Sequence, residues 1–441
     1  MGPYQQKFVS TLTAIATASL GFIALPAIGL AQPCSTGTDV RNVNDSAVSA
    51  SLKTQILGTP GQIISNASSL YPSGKVVVIR AALQDAPVNP AATTSYINEV
   101  FFGPDQSERT LRGYFAANSY ANFNISAGSV PDWFTLPKKI TDYVNGIEAN
   151  PTFLQDVLKK ANVSWSALDP NHDGTITIPD AQIVILVPNA LPGSGFASTR
   201  VVNAGTVTMP TGTFTFSSRR IIIFSLKALA DPQYNINPIR ALAAVAHELG
   251  HGFFNLPDRY GANTGTGEYD MMGSGNSSTW VHLTMHDKMK IGWIKPKIVQ
   301  GHLSQCLSFF ASELQAEALV LVPPTSFINS PLEYWVVENR DKYSDSIGYD
   351  SDLPGHGLAV WYTSVGTYSN GHDDVRLVDY SKPDEDPDLY NNPGSNALFT
   401  WNPADTQRLL FDRNGHWNLL HINDVSDATA NFNGLYMFGQ F

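Results

Sequence analysis

Three stretches of the chain are apolar without alternation: residues 75–83, with Val76, Val77, Val78 and Ile79 in succession, residues 183–187, and residues 221–224. A strand covered on one face alternates apolar with polar side chains, so unbroken runs of this kind predict strands covered on both. Elsewhere the apolar spacing lengthens to that of helices, over residues 96–120 and over residues 140–161 with a break near Pro151, while residues 124–126 and 133–136 read as extended. Strands alternating with helices predict an α/β unit over residues 73–297. Further on, residues 318–322, 333–338 and 357–362 are short alternating stretches between clusters of Gly, Pro, Asn and Asp. That pattern predicts a mainly antiparallel β-sandwich over residues 298–441.

The start of the chain reads differently. After Lys7, residues 8–30 carry no charge, and Gly29 and Ala31 put small side chains at the positions a signal peptidase inspects. Residues 1–31 are therefore expected to be a signal peptide, the rival being an uncleaved anchor whose apolar run Pro26 and several Ser, Thr and Gly interrupt. Residues 32–72, rich in Ser, Asn, Gly and Thr, suit a propeptide or an N-terminal arm. A secreted chain reaches an oxidising extracellular or periplasmic space, where Cys34 and Cys306, the two cysteines present, are expected to form one disulfide rather than two thiols. A formal charge of −11 repels phosphate backbones and anionic headgroups. Nucleic acid is thus excluded as a general partner, and so is stable membrane insertion once the leader is gone.

The candidate chemistry lies in NPIRALAAVAHELGHGFFNLPDRYG. Asn237 is a good N-cap, Pro238 suits the first helical position, and strong helix formers follow. On 3.6 residues per turn His247 and His251 leave one face of this helix with Glu248 beside them. Two neutral imidazoles suit zinc, and three protein ligands leave a position for water. The metal lowers that water's pKa to about 7, and Glu248 is placed to take its proton during attack on a polarised carbonyl. The competing account makes both histidines ordinary hydrogen-bonded side chains.

Downstream of the histidines come Leu256, Pro257, Asp258 and Tyr260, then Asp270 and Met272, then Lys288 or Lys290, and finally Gly292, Trp293 and Ile294. In order and spacing these resemble the immune inhibitor A-like secreted zinc metallopeptidases, whose helical HExGH is followed by Leu-Pro-Asp, an Asp-x-Met turn, a Lys and a Gly-Trp-Ile run. The likeness extends from the Val76 strand, Asp85 and residues 114–120 to residues 333–340 and 354–362, roughly residues 75–365 in all. It implies a zincin-type catalytic domain over residues 73–297 with a metzincin-like Met turn, a C-terminal sandwich, bound zinc, and endopeptidase action on protein or peptide substrates. It also implies that Met272 lies beneath the metal, against which stands ordinary core packing.

The third ligand departs from the family's pattern. Its usual place, ten residues after the first histidine, is Pro257, and Asp258 lies at eleven. Phe254 replaces the expected glycine, and Asn255, which tolerates the left-handed conformation, would end the helix one residue later. An extra helical residue turns the exit by about 100° and advances it by about 1.5 Å, so Asp258 reaches the metal only if the loop compensates. Asp258 is the expected ligand, with Glu268, Asp270, His282 and His286 in reserve and a salt-bridging loop aspartate as the bland alternative. Tyr260 and Tyr269 are candidate donors to a tetrahedral oxyanion.

A second metal is suggested by Asp169, Asn171, Asp173, Gly174, Thr175 and Asp180, which fall at positions 1, 3, 5, 6, 7 and 12 of a calcium loop. Structural calcium is expected there, against a bare Asx-type turn. Asp373, Asp374, Asp384, Glu385, Asp386 and Asp388 are expected to be a solvated acidic loop rather than another calcium site. Two other functions stay open: a zincin-scaffold binding protein, such as an adhesin or glycan-recognition protein, and a zinc hydrolase of a non-protein amide. The intact Glu248 argues against the first.

Overall fold

The computed structural model describes residues 38–45, 48–58, 73–104, 109–143, 150–177, 180–188, 197–202, 205–216, 219–225, 238–260, 265–273, 280–301, 305–323, 328, 330–342, 349–368, 371–378, 408–411, 417–425 and 433–440. For residues 197–202, 219–221, 224–225, 238–241, 305–306, 308 and those from 408 onward only the backbone is described. The expected signal peptide, Cys34, the side chain of Cys306 and the acidic residues 384–388 fall outside this set.

The first sheet is built on the unbroken apolar runs. Ser73–Ala82 pairs in parallel with Asn124–Ser129 on one side and Gln182–Val187 on the other, and Gln182–Val187 pairs in parallel with Arg219–Ser225. Ala197–Val202 closes the edge antiparallel. Successive side chains divide between two interiors. Val76, Val78, Val184, Leu186 and Ile222 pack on the side of the long helix, while Val77, Ile79, Ile183, Ile185, Val187 and Ile223 meet Phe153, Leu154, Val157 and Leu158 of the helix Pro151–Lys160. Each such side chain contributes about 1.5–3 kcal/mol by burial, which is why neither face has room for polar alternation. The predicted break near Pro151 is a helix start: Asn150 accepts hydrogen bonds from the Thr152 and Phe153 N–H groups, and Pro151 occupies the first turn. Among the described residues earlier in that predicted helix, Ile140–Asp142 forms one 3₁₀ turn.

Beyond residue 297 two further sheets appear. Lys297–Gln300, Leu319–Val322, Glu333–Arg340, Gly357–Ser364 and Asp374–Leu377 form one, antiparallel except for its first pair. Thr38–Asp39, Gln305–Phe310, Asn433–Gln440, Trp417–Val425 and Arg408–Phe411 form the other, again antiparallel except at its first pair. Leu319, Leu321, Trp335, Val337, Leu358 and Val360 meet Leu307 and Phe309 between these two sheets. The opposite face, with Val320, Tyr334, Val336, Ala359 and Trp361, joins the core that contains the long helix and the first sheet. Residues Cys34–Phe441 accordingly form one compact unit, and the expected boundary near residue 297 divides sheets that share an interior.

The segment expected to be a propeptide or arm is woven into that interior where it is described. Thr38–Asp39 lies parallel to Gln305–Phe310 in register Thr38↔Leu307, and the helix Ala50–Leu57, capped by Ser49, buries Leu52 and Ile56 in the shared core. Asp45 accepts from the Ile298 N–H, and the Ile56 carbonyl accepts from the Tyr334 hydroxyl. Among the described residues no helix is long and apolar enough to cross a membrane.

Candidate metal centre

The long helix, Pro238–Phe254, lays its apolar side, including Leu242, Ala243, Val245, Ala246 and Leu249, on the first sheet. It ends as its sequence dictates: Asn255 takes a left-handed φ of 51°, its N–H bonds the His251 carbonyl, and the chain turns out. One turn apart on this helix, His247 and His251 are buried with ring planes 88° apart. Asp258, half exposed, comes back to them across the exit loop.

The three side chains converge. His247 Nε2, His251 Nε2 and Asp258 Oδ1 are each 3.0 Å from the other two. These are the residues among those described whose ligand atoms gather closely enough to hold one ion. With metal bonds of about 2.0–2.1 Å a tetrahedral ligand edge is about 3.3 Å, so the triangle fits one zinc-sized ion. Each ring is also held through its other nitrogen. His247 Nδ1 lies 2.9 Å from the Met271 carbonyl and His251 Nδ1 lies 2.6 Å from that of Leu256. A carbonyl only accepts, so both Nδ1 atoms carry hydrogen and each neutral ring turns an Nε2 lone pair inward. Two lone pairs and a carboxylate at mutual contact repel unless a cation lies among them.

The electrostatics agree. Burial works against a charged His247, but Asp258, Glu248 and the Met271 carbonyl outweigh it and raise the pKa of the ring. Burial likewise pushes the Asp258 carboxyl up, yet the two imidazoles hold it well below the usual carboxylate range. A site that raises its base and lowers its acid is one that attracts positive charge.

The turn at residues 270–273 supports the helix from below. Asp270 accepts from the Met272 N–H and the Gly273 N–H closes on the Asp270 carbonyl. Met272 is fully buried, and a Cβ on Gly250 would meet its Sδ at 2.9 Å, so the glycine inside HELGH is what lets the methionine approach. Gly252 likewise makes room for Gln182, whose side-chain amide donates to the Gly252 carbonyl. Glu248 is half-buried beside His247. Tyr260 is 48 % exposed with its ring 5.8 Å from that of His247, whereas Tyr269 is wholly buried and its carbonyl accepts from Arg340. Tyr260 thus lies beside the His247–His251–Asp258 group.

The reserve ligands have other roles. Asp270 faces Arg259, His282 Nδ1 lies 3.1 Å from Lys288 Nζ, and His286 Nε2 lies 3.1 Å from Asp373. Glu268 is exposed and outside the group. The loop at residues 169–180 turns sharply at Gly174, φ 74°, as a calcium loop does at its sixth position. Asp169 and Asp173 accept from loop N–H groups, and Asp180 accepts from both the N–H and the hydroxyl of Thr177. The three carboxylates do not gather as the ligand atoms of His247, His251 and Asp258 do. Asp373 departs from the expected solvated loop: it accepts from Lys290 at 2.8 Å as well as facing His286, both on the helix Met285–Ile291.

Sequence reading missed Arg259 and Asp287. The available signal was an Arg next to the presumed ligand and an Asp between His286 and Lys288, both easily taken for solvated charge. Comparison of the chain with protein-family models and with curated proteins finds no match.

Proposed function

We propose that this chain is a secreted zinc-dependent endopeptidase of the immune inhibitor A-like, zincin type, with His247, His251 and Asp258 as metal ligands. The observation that carries the reading is the triangle of three donor atoms with both histidine tautomers fixed by carbonyls. Zinc held there supplies Lewis acidity toward a scissile carbonyl and an attacking water. Glu248, on the same helix face, takes the water's proton on a carboxylate oxygen and returns it to the departing amine. Tyr260 is placed to offer its phenol to charge developing on the carbonyl oxygen.

Two further parts belong to this reading. The register Thr38↔Leu307 brings the chain four residues after Cys34 next to the neighbour of Cys306, which supports one disulfide in the exported protein. The glycine turn at residue 174 supports a structural calcium, for which Asp169, Asn171, Asp173, Thr175 and Asp180 supply the oxygens.

The test pairs zinc quantification with Glu248→Gln assayed on an unfolded protein. The expected result is one zinc per chain in both proteins and a loss of cleavage of about 10²–10⁴-fold in the variant. Undiminished cleavage removes Glu248 from the mechanism. Zinc without cleavage in the wild type turns the reading toward a binding protein on the same scaffold.

A further inference from the structure

The side chain that follows the third ligand is a buried cation. Asp258 is half exposed, so packing does not hold its carboxylate against the histidines. Arg259, one residue on, is buried. Its Nη2 donates to Asp287 Oδ1 at 2.7 Å, its Nη1 donates to Asp287 Oδ2, and Nη1 lies 3.4 Å from Asp270 Oδ2. Its backbone is fixed too: the Arg259 N–H donates to the Met272 carbonyl at 2.7 Å, and its own carbonyl accepts from Thr266. The partners are anchored in turn. Asp270 caps the Met272 N–H, and Asp287 lies in the first turn of the Met285–Ile291 helix, where Thr284 accepts from its N–H.

The turn that binds Arg259 through Met272 also orients His247 through Met271. One ligand from the helix and one from the loop are thereby referred to the same three residues. This answers the difficulty posed by the longer helix. With its exit rotated by the extra residue, the loop needs a fixed point immediately beyond Asp258. A guanidinium forked onto one carboxylate and touching a second gives direction as well as charge, which an ammonium does not. Stability alone is a poor explanation for it, since buried ion clusters are commonly matched or bettered by apolar packing.

We propose that Arg259 is a positioning residue for zinc: clamped between Asp287 and Asp270, it sets the loop so that Asp258 reaches the ion held by His247 and His251. The inference rests on the metal-site reading above. The experiment measures zinc affinity of the full metal-free chain by competition with a chromophoric chelator, and the absorption spectrum of its cobalt(II) form. Wild type, Arg259→Lys, Asp258→Ala and the double variant are compared. Arg259→Lys should weaken zinc about 10–100-fold, the range seen when groups that orient ligands are removed. Its cobalt spectrum should move to that of Asp258→Ala, and the double variant should lose no more than Asp258→Ala alone.

Wild-type affinity and spectrum in Arg259→Lys overturn the proposal, and so do losses that simply add in the double variant. Should Arg259→Lys not fold, Asp287→Asn loosens the same clamp at constant volume and must show the same non-additivity with Asp258→Ala. A wild type that takes up no zinc sinks the metal-site reading and this inference together. A zinc-binding wild type indifferent to Arg259 sinks this inference alone.

Discussion

The strand Gln182–Val187 of the first sheet and the strand Glu333–Arg340 of the second are both buried on both faces, yet they reach that state by different chemistry. Gln182–Val187 is QIVILV, and its five apolar side chains alternate between two greasy interiors. Glu333–Arg340 is EYWVVENR, equally buried along its length, but Glu338 and Arg340 point to the same side as Tyr334 and Val336. There they meet a charged cluster in which Arg340 donates to both oxygens of Asp350 and lies 3.3 Å from Glu313, while Glu338 accepts from the Trp361 indole and the Met285 N–H. One region is held by shape and area, the other by pairing. The first is expected to tolerate small losses, and the second to fail when a partner is missing.

Arg340→Met is expected to have the largest effect on stability, about 3–5 kcal/mol in denaturant unfolding, because it strands buried carboxylates. If it costs less than 1 kcal/mol, the two regions do not differ as described. Gly250→Ala, at the contact of the long helix with the Met turn, is expected to cost about 1–3 kcal/mol, since the new methyl meets a buried sulfur rather than space. An unchanged melting temperature would show that Met272 moves aside freely.

Acid should separate the regions further. Burial pushes the Asp350 carboxyl up, but Arg340 and neighbouring donors hold it well below the usual range, so its contribution is present above about pH 4 and is lost as pH falls through its folded-state pKa. Asp350→Asn is therefore expected to destabilise the protein by about 1–3 kcal/mol near neutrality, with the deficit narrowing below about pH 4. A deficit that stays constant with pH would mean the carboxylate's charge is not what matters. Ile185→Val, in the first sheet, is expected to cost about 0.5–1.5 kcal/mol at every pH.

The same contrast explains what was legible in the sequence. Unbroken apolar runs located three strands of the first sheet within two residues, because nothing else suits a strand covered on both faces by carbon. The HELGH spacing placed two ring nitrogens together, and Asn255 marked the helix end through its tolerance of positive φ. The strands at residues 333 and 357 were found too, but their alternation suggested one face in water. In the fold it distinguishes two interiors, one apolar between sheets and one partly ionic against the helices. Pairings such as Arg259 with Asp287 or Arg340 with Asp350 carry no local signature, because each joins segments whose adjacency only the fold creates.

The strand Thr38–Asp39 has a consequence for the order of assembly. It pairs with Gln305–Phe310, whose other neighbour is Asn433–Gln440, so that sheet draws on both the earliest described residues and the last. A ribosome delivers these pieces hundreds of residues apart. The earliest described segment must wait, unpaired, for Gln305–Phe310, and the sheet they share completes only once Asn433–Gln440 has emerged, so this interior closes at the end of synthesis.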